Sequence, residues 1–587
     1  MATAAWQPPG IPHDAPDDVA DHEDALKRSP DACREGDDDE ECVVVGLDEE
    51  SADTDHPTAD VGLGSTNDSP ALLSLPQEAQ QWVRCGLPYK SFTKVQLRCA
   101  APLLTSDHNV VVAAPTGSGK TVLFEFAMVR LFRHRFLQSR SQGGQGDGGG
   151  ATSGKAIYVS PTKALAAEKY HSWRRMWSHR YGLKVVLETG DTAAATLTSV
   201  DAASVSTETY FASRQAADAD IVVTTPERWD SLTRRWKEGA ARAFMDSVRL
   251  IMLDEAHSVG EPRGAALEAL VSRMKSVSAS ALRQTDGSDA SGGIRFVAVS
   301  ATMPNIGDFG EWLGAPAHAV FAFTEAERPV PLSVHVVSYP RAGRNPFQFD
   351  RFLTFKLPSI VRHYADGKPT LIFCVSRRET SASAAHIAAD MGDDVVASLP
   401  PSARHQLLTT SGMLLDAKLR ECVKRGVGFH HAAMHPKDRQ TVEELFLTHA
   451  LRVVCSTTTL AVGVNLPARL VIVKGTWNAG GGGCAGLAVA GRQLSTSDIA
   501  QMTGRAGRPG LDVVGVAVVL TSDDCRAPYD AMRSGAEVVT PVESHLHRHM
   551  AEHVNAEVAL RTLRTPEMAV GWLRTTFLWV RLKKNPS

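Results

Sequence analysis

Short β-branched runs recur along this chain, separated by longer stretches with apolar residues at helical spacing, and polar residues gather where each run stops. Val110-Val111-Val112-Ala113 reads as a buried parallel strand. It breaks into Ala114-Pro115-Thr116-Gly117-Ser118-Gly119-Lys120-Thr121, and residues 122–132 then read as an apolar helix. Further strands are expected at 156–160, 185–187, 220–224, 250–253 and 296–299. Most run into a polar cluster: Ser160-Pro161-Thr162, Thr224-Thr225-Pro226-Glu227, Asp254-Glu255-Ala256-His257 and Ser300-Ala301-Thr302. The pattern restarts near residue 355, with strands at 370–375, 452–455 and 513–520, the last expected to close its sheet. Polar text follows here too, in residues 456–468 and in Gly504-Arg505-Ala506-Gly507-Arg508-Pro509-Gly510. Strands alternating with helices imply an α/β chain of two tandem doubly wound parallel sheets, each with its site along the carboxyl edge. Near the C-terminus, Leu546, Met550 and Val554 recur at helical spacing and predict a packed amphipathic helix.

The strand, glycines, Lys-Thr and helix beginning at Val110 have the layout of a phosphate-cradling loop. Gly117 and Gly119 let backbone N–H groups face one anion at the positive end of the next helix. Lys120 would neutralise the terminal phosphates, and the Thr121 hydroxyl would ligate Mg²⁺. The strict pattern has glycine where this chain has Ala114. Asp254 and Glu255 follow a buried strand, where charges are costly without a role; Asp254 suits Mg²⁺ held through water, and Glu255 suits polarisation of the attacking water. A helix cap is the plainer reading of that pair. Arg505 and Arg508, spaced by glycines, are expected to reach one point and stabilise the γ-phosphate, or else to form a solvated basic turn. Only the first sheet has a Gly-Lys-Thr, so the nucleotide is expected between the two. Gln96, upstream of the loop, has an amide suited to an adenine edge.

Charge divides the chain. Residues 1–60 hold 19 Asp/Glu against 3 Lys/Arg, leaving 47 acidic and 59 basic residues in the remainder. The acidic segment, taken as residues 1–80, cannot bury enough apolar surface to order itself, so it is expected to be a disordered tail, a solvated one or one that binds a protein partner. The positive remainder suits a polyanion, or is ordinary surface charge. No apolar run approaches the roughly 18 residues that span a bilayer, so no membrane is expected. Nine scattered cysteines favour reduced thiols in a nuclear or cytosolic setting.

Taken in order, Gln96, residues 114–121, 160–165, 224–227, 254–257, 300–302, 459–468 and 501–509 resemble the superfamily 2 helicases, in the Ski-like branch. Finer text, such as Arg273-Met274-Lys275 and Ser544-His545-Leu546-His547, is similar to that of the meiotic crossover-promoting DNA helicases, although Asp-Glu-Ala-His departs from the Val- or Ile-containing box expected there. The resemblance implies two RecA-like lobes, at 81–325 and 326–535, and the start of a winged helix at 536–587. It implies ATP and Mg²⁺ as cofactors, with Lys120, Thr121, Asp254, Glu255, Gln501, Arg505 and Arg508 serving hydrolysis and Gly463 approaching the nucleotide. Ser300 and Thr302 would couple the lobes, and Pro161, Thr162, Thr225 and Thr459 would line a single-strand track by contacting phosphates. The activity implied is 3′–5′ translocation on DNA in the nucleus, acting on single-stranded or branched recombination intermediates. An RNA helicase of the same branch, active in RNA decay or splicing, or an ATP-gated scaffold without unwinding, shares these motifs.

Overall fold

The computed structural model describes residue 72 and residues 74–585, apart from 90, 137–153, 191–217, 235, 238, 283–292, 459–465, 479–491 and 534–540. Thr459 and Gly463 lie outside the described residues, as does most of the acidic segment.

In the first lobe, helices α1 (Gln77–Gly86) and α2 (Lys94–Thr105) precede β1 (Val110–Ala113), which leads through the phosphate-loop text into α3 (Thr121–Leu131). There follow β2 (Lys155–Val159), α4 (Lys163–Trp173), β3 (Val185–Glu188), β4 (Ile221–Thr224) and α5 (Pro226–Thr233). Then come β5 (Val248–Leu253), α6 (Gly264–Leu282), β6 (Arg295–Ser300), α7 (Ile306–Leu313) and β7 (Val320–Ala322). The seven strands are parallel, in the order β3-β4-β2-β5-β6-β1-β7. Every residue of β1, β4 and β6 is buried, which is why these strands read as unbroken apolar runs.

The second lobe has six strands in the order β10-β11-β9-β12-β15-β8, also parallel. They are β8 (Leu332–Tyr339), β9 (Thr370–Cys374), β10 (Val427–His430), β11 (Val453–Thr457), β12 (Leu470–Lys474) and β15 (Gly515–Ser522). A two-stranded antiparallel ribbon, β13 (Trp477–Asn478) and β14 (Arg492–Gln493), precedes helix α8 (Thr496–Thr503).

Two expectations are corrected. The 513–520 run does not close the second sheet; β15 is interior, and β8 takes the edge beside it. That edge strand is half-buried along most of its length, so its text, Leu-Ser-Val-His-Val-Val-Ser-Tyr, mixes apolar and polar residues and lacks a core-strand signature. The tail does not extend to residue 80 either. Leu72, Leu75 and Ala79 are buried in the first lobe's core, and α1 adds Trp82 and Val83.

Helices α9 (Leu546–Ala559), α10 (Pro566–Leu573) and α11 (Phe577–Lys584) pack against the first lobe. Leu546, Met550 and Val554 face Ala265 and Ala269 of α6, as their spacing predicted. Arg273 of α6 is almost wholly enclosed and bonds Glu557 of α9 at 2.5 Å and Asp230 of α5 at 2.7 Å. Glu268 of α6, also enclosed, accepts from the Ser544 hydroxyl at 2.7 Å and from Leu578 N at 2.6 Å. Burial pushes Glu268 up to about 7 against the pull of these hydrogen bonds, with Lys275 the nearby cation. Its folded value exceeds the unfolded one of about 4.3, so the neutral acid favours this junction. The stability it contributes is complete below about pH 4 and is lost as pH rises through about 7. Glu268→Gln should therefore be more stable than wild type at pH 8, by on the order of 1–3 kcal/mol, with the gap shrinking at pH 5. Urea unfolding at the two pH values measures this; an equal gap at both would refute it.

Candidate nucleotide site between the lobes

Strands β5, β6 and β1 lie side by side, so their carboxyl ends bring residues 254–257, 300–302 and 114–121 to one place. Ala114 N donates to Ser300 O at 3.1 Å and ties two of these turns together. Gly117 and Gly119 have φ of +82° and +84°, a region that favours glycine. A Cβ on Gly119 would lie 2.3 Å from the Gln96 amide nitrogen. Lys120 Nζ donates to the loop's own Ala114 O at 2.8 Å, and the Ser118 hydroxyl is buried without a partner. An orphaned hydroxyl, a parked ammonium and the first N–H groups of α3 form a cradle that fits a polyphosphate. Thr121 opens α3 at its rim.

Gln96 does not present a free amide. Its Oε1 accepts from Thr93 N at 2.8 Å and its Nε2 donates to Gly119 O at 2.8 Å, so it braces the loop from α2.

Asp254 accepts the Tyr158 hydroxyl at 2.5 Å and Glu255 N at 3.0 Å. Burial, then the neighbouring Glu255 charge, pushes Asp254 up to about 6. Burial also pushes Glu255 up, but Lys120, then His257 and Arg505, outweigh it and hold this carboxyl below its usual range. Glu255 adopts left-handed backbone at φ 47°, a non-glycine strain of the kind stored at functional sites, where β5 turns into the 3-10 helix Ala256–Gly260.

His257 joins the lobes. Its Nδ1 lies 3.0 Å from Ser300 Oγ, and its Nε2 lies 3.1 Å from the Gln501 amide nitrogen on α8. The sequence reading had given His257 no role of its own; its one signal was its place two residues after Glu255. Tyr158 and Arg328 were missed as well. Thr302 lies half-buried at the strand end that carries Ser300.

Across the gap, Arg505 is half-buried; its loss of water lowers its pKa, and Glu255 and Glu168 oppose that effect. Arg508 does not converge with it, which corrects the expected pairing. Its Nε and Nη2 hold the Asp512 carboxylate at 2.7 and 2.8 Å within the second lobe. Gly507 stands between the two arginines at φ +90°, a region that favours glycine. Gly504 lies against the phosphate loop, where a Cβ would sit 2.5 Å from Thr116 Cβ.

Beside this centre along the same edge come β2 and then β4. Pro161 and Thr162 follow β2, and the Thr162 hydroxyl caps α4 by accepting from Leu165 N. Thr225 follows β4 and is only 6% exposed. At about 4.8 Å per strand, β4 lies roughly 19 Å from β1, so one edge has two separate stations.

Comparison with known proteins matches this architecture. Residues 93–309 match the DEAD/DEAH box helicase family, 355–510 the helicase conserved C-terminal domain, and 543–587 a winged helix-turn-helix domain. The chain is 38% identical over 505 residues to the probable ATP-dependent DNA helicase HFM1 of Xenopus tropicalis, covering 85% of this chain and 34% of the relative. It is 35% identical over 505 residues to the ATP-dependent DNA helicase MER3 of Saccharomyces cerevisiae, covering 85% and 37%. It is also 33% identical over 503 residues to activating signal cointegrator 1 complex subunit 3 of Danio rerio, covering 85% and 29%. The chain thus spans about a third of the length of the curated relatives it matches. Two parallel-sheet lobes, a phosphate loop facing an arginine across them and a winged helix behind place the chain in a known group: it belongs to the superfamily 2 helicases and resembles the Ski-like branch, in text similar to the HFM1 and MER3 helicases.

Proposed function

We propose that the chain is the motor of an ATP-dependent 3′–5′ DNA helicase that moves on single-stranded DNA and opens recombination intermediates in the nucleus. The observation that carries the reading is Glu255, held ionised by Lys120 of one lobe and Arg505 of the other. Names of relatives at 35–38% identity support DNA as the strand.

Thr121 and Asp254 would hold Mg²⁺, which supplies Lewis-acid stabilisation of the phosphoryl oxygens. Lys120 exchanges the Ala114 carbonyl for a phosphate, and the Ser118 hydroxyl gains a partner. Glu255 takes a proton from the attacking water at its carboxylate, and Arg505 offsets charge on the transferring group. His257 relates the two sides, because its ring meets Ser300 behind and Gln501 opposite. Pro161, Thr162 and Thr225 contact phosphates of the strand at the far station, and the same role is proposed for Thr459. Arg508, bound to Asp512, shapes the arginine loop from within its own lobe.

Single-stranded DNA should stimulate hydrolysis more than single-stranded RNA at matched salt; equal or RNA-favoured stimulation would sink the DNA assignment. Glu255→Gln should lower kcat by about 10²–10⁴ while ATP still binds, as expected for loss of a general base. Retained turnover would remove Glu255 from that role. His257→Ala and Gln501→Ala should each slow DNA-stimulated hydrolysis by about tenfold, the effect of losing one well-made hydrogen bond. The double variant should be no slower than His257→Ala alone, because Gln501 acts through that ring; multiplicative losses would show that the two act separately.

A further inference from the structure

The segment between the lobes contains one arginine that the motif pattern leaves unassigned. Arg328 follows the short 3-10 turn Glu325–Glu327, and its side chain is 3% exposed. Its Nη2 donates to Gly504 O at 2.8 Å and to Ala506 O at 2.6 Å, the two carbonyls that flank Arg505. The only carboxylate paired with it among the described residues is Glu325 at 3.7 Å, half exposed, so its main partners are backbone oxygens. Neighbours in the same segment support the same loop. A Cβ on Gly507 would lie 2.6 Å from Val330 Cγ1, and Gly515 N donates to Pro331 O at 2.8 Å. The Arg328 guanidinium also lies near the phosphate loop, 3.9 Å from where a Gly117 Cβ would stand.

We propose that Arg328 is a positioning residue for catalysis: by clamping the carbonyls on both sides of Arg505, it sets the direction in which that arginine reaches towards Glu255 across the gap. One planar nitrogen holds the peptide plane that precedes Arg505 and the plane between Ala506 and Gly507, while Ala468 N donates to Arg505 O at 3.1 Å and holds the plane between them, leaving the Arg505 side chain to turn about its own bonds only. A guanidinium suits this task because it keeps its proton while buried and brings several N–H donors in a rigid plane, whereas an ammonium is a point charge on a flexible stem. The clamp also ties the interlobe segment to the arginine loop, so a change of angle between the lobes is delivered to Arg505 directly. The inference rests on the nucleotide-site reading, in which Arg505 acts on the transferring phosphoryl group.

The test uses the full chain with single-stranded DNA and compares Arg328→Gln, Arg328→Lys, Arg505→Ala and the double variant Arg328→Gln with Arg505→Ala. Arg328→Gln should lower kcat about tenfold or more with KM for ATP within about twofold, and should weaken binding of ADP with aluminium fluoride more than binding of ADP alone. Arg328→Lys should recover part of the loss. The double variant should be no slower in single turnover than Arg505→Ala, since a positioning residue has nothing left to position. Unchanged kcat in Arg328→Gln, or losses that multiply in the double variant, would overturn the proposal. If Arg328→Gln does not fold, Arg328→Lys and its double variant with Arg505→Ala carry the same comparison. Full activity in Arg505→Ala would overturn the nucleotide-site reading itself, an outcome distinct from failure of the clamp alone.

Discussion

Keeping a half-buried carboxylate charged where two lobes meet is the constraint on which this structure depends. An ionised acid removed from water protonates unless opposite charges compensate. Glu255 is in that position, and its compensation comes from two directions: Lys120 and His257 from its own lobe, and Arg505 from the other. Asp254, one residue earlier and equally enclosed, lacks that balance and is pushed up to about 6. Two adjacent acids are thus driven apart by their surroundings, an arrangement that suits them to different tasks. Because part of the compensation belongs to the second lobe, the state of the acid depends on the lobes being together.

Topology then distributes the work. The order β4-β2-β5-β6-β1 sets phosphate chemistry at one end of the carboxyl edge and the Thr162 and Thr225 turns at the other. His257 stands between the lobes, with Ser300 on one side and Gln501 on the other. Behind the first lobe, the winged helix is fastened by buried charge: Arg273 with Glu557 and Asp230, and Arg581 with Asp308. Such pairs add little net stability relative to an apolar contact, but they admit few alternative registers. A third domain held in one orientation moves with the lobe it rests on.

Legibility in the sequence followed burial only in part, since β10 and β12 are wholly buried and were not located. Strands β1, β4 and β6 are enclosed on both faces, so they appear as continuous apolar text and were located to within a residue or two. The half-buried edge strand β8 mixes polar and apolar residues, and it was missed for that reason. Helix α1 was hidden behind the acidic composition upstream, although Ala79, Trp82 and Val83 all face the core. In the site, residues joined to a strand end by a fixed turn were readable, because spacing along the chain is also spacing in space there. The contact of the Gln96 amide with Gly119 was not legible, since its reach depends on how α2 packs.

What the amino-acid order determined by itself is the set of local devices: the glycines at +82° and +84°, the lysine and threonine after them, the paired acids and the arginine loop. Each needs only a few neighbouring residues, so the backbone preferences of those residues suffice. Tertiary structure decided which devices face each other. It brought Gln501 to His257 across 244 residues and placed Arg328 under the carbonyls beside Arg505. Contacts between residues so far apart in the chain arise from how two separately built sheets pack, and no periodicity within either one encodes that.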